Sequence, residues 1–282
     1  MHTFFNPNAP FPTWQQFLKR PDNIGLNVMQ AKQKYLTEQT NYYRMIPLTP
    51  SFAAAVGGGG STDTGPTFTN TFSLNFDGIN DSVVNSDATF NITNSVSISA
   101  WIKTNSNGNQ YDIIFEVGSG SSARYGFEMH GSDGKVTFAL RTSAGVSRIQ
   151  SAESLIDNEW HHLLGTWDGT TMKFYVDGNL SNNGVNSGTM ASQDNIMIGA
   201  YKNGYQLLYL GFVDEAAIFT NALSTEQVAI VYNNGIAGDI SSLDPIAWYR
   251  FEEGSGTTVI NSGTGGNNLT RTGATYSTDI PG

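Results

Sequence analysis

From Thr67 onward the chain is written in short stretches whose side chains alternate in character, each stopped by a turn signal. "RYGFEMH" sets Tyr125, Phe127 and Met129 on one side and Arg124, Glu128 and His130 on the other. "KVTFALR" does the same with Val136, Phe138 and Leu140 against Thr137 and Arg141. A repeat of two is what a half-buried strand requires, because successive Cβ atoms leave a strand on opposite faces. "TFSLNF", "VSISAWIKT", "DIIFEVG", "HHLLGTW", "MKFYVDG", "NIMIGAY", "GFVDEAAIF" and "AWYRFEE" read as further strands. Asp-Gly, Asn-Gly and Ser-Gly pairs between them supply hairpin chemistry. The expectation is an all-β sandwich over 67–282, interrupted by one helix in "ALSTEQVAIVYNNG". Ser224 is its N-cap, Gln227 completes a capping box and Gly235 is the expected stop.

The pattern does not extend upstream. "SFAAAVGGGGSTDTGPT" (51–67) holds four consecutive glycines, and the linker is placed at 57–66. Residues 1–56 read as a helical and extended segment. "PTWQQFLKRP" starts a short helix at Thr13 and stops at Pro21, and apolar residues spaced by three and four predict a longer helix from about Gly25 to Arg44. Phe4, Phe5, Phe11, Trp14, Phe17, Tyr35 and Tyr42 give this segment more aromatic surface than a peptide of its size buries alone. It packs either on the sandwich or on another molecule. Four glycines are a poor way to hold a segment against its own domain, so the second is expected, and these seven residues become candidate anchors.

Charge sharpens the division. Residues 1–56 carry five basic and two acidic side chains, whereas 57–282 carry nine basic and 22 acidic ones. A basic tail fits an acidic partner. The acidic body would repel phosphates, so no nucleic acid is expected as a ligand. No apolar run is long enough to span a bilayer, so no membrane partner is expected. "MHTFFNPNAPFPTW" lacks a basic region followed by an apolar one, so a secretory signal is not expected there. The chain has no cysteine, which excludes disulfides, thiolate metal sites and a cysteine nucleophile.

Four stretches carry a family resemblance. "LNFDGINDSVV" (74–84), "SISAWIKT" (97–104), "EWHHLLGTWDGTTMKFYVDGNL" (159–180) and "GFVDEAAIFTNALSTEQV" (211–228) occur in an order similar to that of the laminin-G-like, concanavalin A-like jelly-roll family. In that family a stretch like "WYRFEEGSGTTVINSG" precedes the "FDG" strand. Here it begins at Trp248, after the helix, so the resemblance implies a circularly permuted sandwich. The alternative is that 248–282 opens a second, truncated domain, but one or two strands cannot bury a core alone. A permuted jelly roll behind a short helical tail also resembles virion structural proteins of tailed bacteriophages.

The resemblance implies a structural Ca²⁺, for which Asp77, Asn80 and Asp81 of "FDGIND", joined by Asp214, are the candidate oxygen ligands. The alternative is that Asp77-Gly78 is only a hairpin turn. Catalysis is not expected. Asp214 and Glu215 are adjacent and should face opposite ways, no strand displays a same-face acid pair, and no Gly-x-Ser-x-Gly elbow exists. His161 and His162 should likewise diverge, which excludes a two-histidine zinc site. Glycan binding, frequent in the family, would use exposed aromatics and polar side chains. Tyr111, Tyr201 and Tyr205 lie in loop-like surroundings, and Glu128, His130 and Arg141 share one outward face.

The expectation is therefore a non-enzymatic bacteriophage virion protein. Residues 1–56 would bind capsid or tail proteins, and the jelly roll would lie on the virion surface, reinforcing it or adhering to cell-surface glycans. Further copies of the chain are another candidate partner. The alternative is a carbohydrate-binding module of a bacterial surface or secreted protein.

Overall fold

Alternation of side chains along 68–282 becomes two antiparallel sheets. The computed structural model describes residues 68–108, 110–118, 124–201 and 207–282. Phe4, Phe5, Phe11, Trp14, Phe17, Tyr35 and Tyr42, and with them the anchor reading, lie outside the described residues.

In chain order the strands are β1 (Ser73–Asp77), β2 (Ser82–Phe90), β3 (Val96–Lys103), β4 (Gln110–Val117), β5 (Arg124–His130), β6 (Lys135–Thr142), β7 (Gly145–Gln150) and β8 (His161–Trp167). They continue with β9 (Thr171–Val176), β10 (Asn179–Val185), β11 (Gln193–Ile198), β12 (Leu210–Phe219), β13 (Ala247–Tyr249), β14 (Thr258–Val259), β15 (Leu269–Thr272) and β16 (Thr275–Ser277). The first sheet runs β10-β9-β8-β3-β12-β1-β16, with β13 also paired to β12. The second runs β14-β15-β2-β11-β4-β5-β6-β7.

The core lies between the sheets. Leu163, Phe174 and Ile218 from the first meet Phe127, Phe138 and Ile198 from the second. Phe127, Phe138 and Phe174 form a ring cluster with centroids 5.6 to 6.4 Å apart, within the range that favours aromatic packing. Close approach depends on Gly165: a Cβ there would sit 2.6 Å from the Phe138 ring.

Alternate residues of the first sheet build a second, smaller cluster on its other face. Leu164, Tyr175, Ala217 and Phe219 are covered by Val228 and Val231 of helix α1 (Thr225–Tyr232) and by Trp248. The capping box forms as expected, with the Gln227 N–H donating to Ser224 Oγ and the Ser224 N–H donating to Gln227 Oε1. The stop differs: Asn233, at φ +45°, takes the left-handed cap two residues before Gly235. Asparagine tolerates this conformation better than most side chains.

Residues 248–282 complete the same sandwich rather than opening another. β13 adds to β12, β15 to β2 and β16 to β1. Asn261 accepts the Trp248 N–H at 2.9 Å, and Tyr249 Oη donates to the Asn267 carbonyl at 2.8 Å.

With α1 over the first sheet, the polar outer face of the second sheet is where side chains other than core formers gather.

Candidate functional site

The register of β5, β6 and β7 decides which side chains share that face. Glu128 stands opposite Thr137, and Thr137 opposite Gln150. Gly126, Ala139 and Arg148 form the next row, and Arg124, Arg141 and Val146 the one after. His130 opposes Lys135. The expectation that Glu128, His130 and Arg141 share one outward face is met.

Strand β4 joins this face irregularly. Its pairing with β5 shifts between Gln110 and Asp112 and again between Ile113 and Phe115. Tyr111 sits in the first bulge at φ +75°, a conformation an aromatic residue adopts at a cost of ~1–3 kcal/mol. The second bulge brings Glu116 opposite Gly126, where a Cβ would press on the Phe115 carbonyl and lie 2.7 Å from Glu116 Cα. Only glycine fits there.

Tyr111, His130, Thr137, Arg148, Ile149, Gln150, Asn182 and Asn183 line an open depression of about 390 Å³. Its far wall exists because the edges of the two sheets meet: Asn182 Nδ2 of β10 donates to the Gln150 carbonyl of β7 at 3.0 Å. Arg148 places its guanidinium 4.9 Å from the Tyr111 ring centroid, and the His130 ring is 6.5 Å from Tyr111. Thr137 is fully buried, and its Oγ1 has no hydrogen-bond partner among the described residues. An aromatic edge, several amides and a free hydroxyl are the donor and acceptor set of a polar-ligand site.

Beside this depression lies a pair of carboxylates that strand parity alone did not reveal. Glu116 and Glu128 occupy one face of adjacent strands, and their side chains are 0% and 1% exposed. Arg124 bridges them, 3.2 Å from Glu116 and 3.5 Å from Glu128, and Arg148 Nε donates to Glu128 at 3.0 Å. Burial pushes Glu116 up to about 8, against the pull of Arg124 and with the push of Glu128. Glycosidic hydrolysis needs two carboxyl groups open to the substrate on either side of the scissile bond. These two are closed off by guanidinium groups. Glu128 is therefore not free to bond a sugar hydroxyl, which corrects its placement among the candidate ligand contacts.

The other candidates separate. Tyr201 follows β11 and Arg141 lies farther along β6, and neither lines the depression. Tyr205 is outside the described residues. Sequence reasoning missed Arg148, Gln150, Asn182 and Asn183. The signal for them was the polar alternation of "GVSRIQ" and "NLSNNGV", weakened by the low apolar content of both strands.

The four expected calcium ligands do not assemble. Asp77, Asn80 and Asp81 share one turn, but Asp81 Oδ2 accepts the Asp77 N–H at 2.8 Å and Asp77 Oδ1 accepts the Ile79 N–H at 2.8 Å. Asp77 pairs with Leu210, so Asp214 stands four positions up the ladder, ~13 Å away at the usual rise per residue. Among the described residues no three His, Asp or Glu side chains converge on a metal position. Asp77-Gly78 is a turn but not a hairpin, because it carries the chain from β1 in the first sheet to β2 in the second.

Asp214 belongs to a different, structural cluster. A bulge at 214–217 and the left-handed Glu215 (φ +47°) break the expected divergence of the two acids. Burial, then the charge of Glu215, raises Asp214 well above the carboxylate range, and Asn70 Nδ2 donates to it at 2.9 Å. Glu215 is pushed by burial to about 8 while Arg250 and the Trp248 indole N–H hold it. The two histidines do diverge. His162 is buried against Trp101 and bonds Ser99 Oγ at 2.8 Å, and burial lowers it to about 4. His161 lies between Asp177 (2.9 Å) and Asp157 (3.1 Å).

Comparison with known proteins places this geometry. A family profile described as the concanavalin A-like lectin/glucanases superfamily matches residues 77–229. Among solved structures, a protein of Bacteroides ovatus assigned as carbohydrate-binding superposes with a TM-score of 0.56 at 20% identity, over 76% of this chain and 62% of that one. Domains LG4-5 of the mouse laminin α1 chain give a TM-score of 0.44 at 20% identity, over 55% and 44%. In sequence, adhesion G-protein coupled receptor V1 of Danio rerio is 24% identical over 166 residues, which are 55% of this chain and 3% of the receptor. The chain thus spans a small fraction of that receptor and under two thirds of the Bacteroides protein. With the profile covering more than half its length, the chain belongs to the concanavalin A-like lectin/glucanases superfamily.

Proposed function

We propose that this protein is a non-catalytic, lectin-like module that binds glycan in the depression between Tyr111 and the β7–β10 wall. One observation carries the reading: a tyrosine held at φ +75° presents its ring at the lip of a depression floored by the unpaired Thr137 hydroxyl. Strain of this kind persists where surrounding structure enforces it, and such positions cluster at ligand sites. Sugars offer apolar faces for the ring and hydroxyls for Thr137, Gln150, Asn182 and Asn183. The guanidinium caps over Glu116 and Glu128 favour binding over hydrolysis. The Bacteroides protein's assignment agrees with this direction.

The position of β15 and β16 beside the first two strands supports reading the sandwich as a circular permutant of the family. Residues 1–56 then act as the tether, carrying the module on a larger assembly such as a phage capsid or tail. That part rests on the sequence alone. Its test is deletion of 1–56, which should abolish incorporation into such a particle.

For the glycan reading, the test is a screen of the full chain on an oligosaccharide array, repeated with Thr137→Val and Asn183→Ala. Retention of a defined glycan set, weakened about ten-fold by either substitution, is the expected result. A flat array, or retention indifferent to both substitutions, would contradict it.

A further inference from the structure

We propose that the far end of the same face, at Arg141, is a subsite for an anionic oxygen group, the carboxylate or sulfate of an acidic glycan. This rests on the glycan reading above and names the class of sugar it would take.

Charge distribution is the first observation. Residues 57–282 contain 22 acidic and only nine basic residues, yet four of the nine, Arg124, Lys135, Arg141 and Arg148, stand on the outer face of β5, β6 and β7. In a body that is otherwise acidic, this is a local reversal of sign.

Pairing is the second. Arg141 lies directly across the ladder from Arg124, and like charges in that position destabilise a sheet. Arg124 is held by Glu116 and Glu128, and Arg148 by Glu128. Both carboxylates of the face are thereby taken. Arg141 has no ion pair or hydrogen bond among the described residues, and its Nε is buried without an acceptor. A buried guanidinium N–H without an acceptor is rare, and a bidentate oxyanion satisfies it with the right geometry.

Continuity with the depression is the third. Thr137, on its floor, and Arg141 are four residues apart on β6, so their side chains share a face at ~13 Å separation. A short oligosaccharide seated on Tyr111 would reach Arg141 by passing over the row that holds Ala139 and Arg148. The neutral end of the groove recognises sugar rings and hydroxyls, and the arginine end recognises charge.

The experiment uses the full chain, an array of matched neutral, carboxylated and sulfated oligosaccharides, and the variants Arg141→Gln and Lys173→Gln. Lys173, on β9 in the other sheet, controls for net charge. Acidic glycans should be retained over their neutral partners, and Arg141→Gln should weaken them about ten-fold or more while sparing the neutral ones. Lys173→Gln should change neither. Equal retention of acidic and neutral partners, or equal effects of the two variants, overturns the subsite and leaves the glycan reading standing. A parallel melting series compares sodium sulfate with sodium chloride at equal ionic strength. If no glycan binds but sulfate stabilises the wild type and not Arg141→Gln, the site takes a free anion and the acidic-sugar assignment is overturned. If sulfate also has no Arg141-dependent effect, the anion site itself is overturned.

Discussion

Arg148 lays its guanidinium 4.9 Å from the centroid of the Tyr111 ring while donating its Nε–H to Glu128 at 3.0 Å. One side chain thus joins the buried charges of the second sheet to the aromatic lip of the depression. The ring is positioned by a cation beneath it and by a bulge that holds its backbone left-handed.

Tyr111→Gly separates binding from stability. Glycine adopts φ +75° without penalty, so relief of backbone strain offsets the lost ring contacts. The variant should stay within about 1 kcal/mol of wild type in chemical unfolding. It should lose glycan binding by about ten-fold or more. A large loss of stability would mean the ring serves the fold instead.

Glu116 ties stability to pH. Burial raises its pKa from 4.5 to about 8, so between those values the folded protein holds a proton that the unfolded chain releases. Stability contributed by this group therefore falls as pH rises through that window. Glu116→Gln, neutral throughout, should match wild type near pH 5 and gain on it toward pH 9. Unfolding curves at the two pH values check the sign.

His161 works in the opposite chemical sense. Burial disfavours its charged form, but hydrogen bonds and charge from Asp177 and Asp157 outweigh it and raise the pKa above 6.5. Its contribution is full below 6.5 and is lost as pH rises through the folded value. Asp177→Asn keeps an oxygen for the His162 N–H at Oδ1 but removes the charge. In that variant the loss of melting temperature above pH 6.5 should be shallower.

Gly165 and Phe138 set the spacing of the sheets. Gly165→Ala places a methyl carbon 2.6 Å from the Phe138 ring and should cost ~1–3 kcal/mol of overpacking. Adding Phe138→Leu should recover part of that cost, since the residues are in contact and their effects should not add. Additive losses in the double variant would show that the clash is relieved elsewhere.

Much of the fold was legible because strand parity is a local signal. Tyr125, Phe127 and Met129 were assigned to the core and Arg124, Glu128 and His130 to the outer face from seven consecutive residues, and both assignments stand. Strands β2, β7 and β10 were not singled out, since "SVVNSDATF", "GVSRIQ" and "NLSNNGV" carry too few apolar residues to display the alternation, and β14, β15 and β16 were too short to show any. The site was less legible because register is not a local property. Arg124 facing Arg141, Glu116 facing Gly126 and Asp214 lying four positions from Asp77 each depend on how separate strands align. The bulge at Glu215 then altered facing where simple alternation had been assumed, and Tyr111, read as a loop residue, lies instead in a bulge of β4.

The account stands or falls on where glycan contacts the chain. Backbone amide shifts of ¹⁵N-labelled full-length protein, followed while titrating the best array glycan, read this directly. The prediction is that perturbations concentrate at Tyr111, His130, Thr137, Gln150, Asn182 and Asn183, while the Asp77–Asp81 turn stays still. Perturbations centred on that turn, with the outer face of β5 to β7 unmoved, would contradict it.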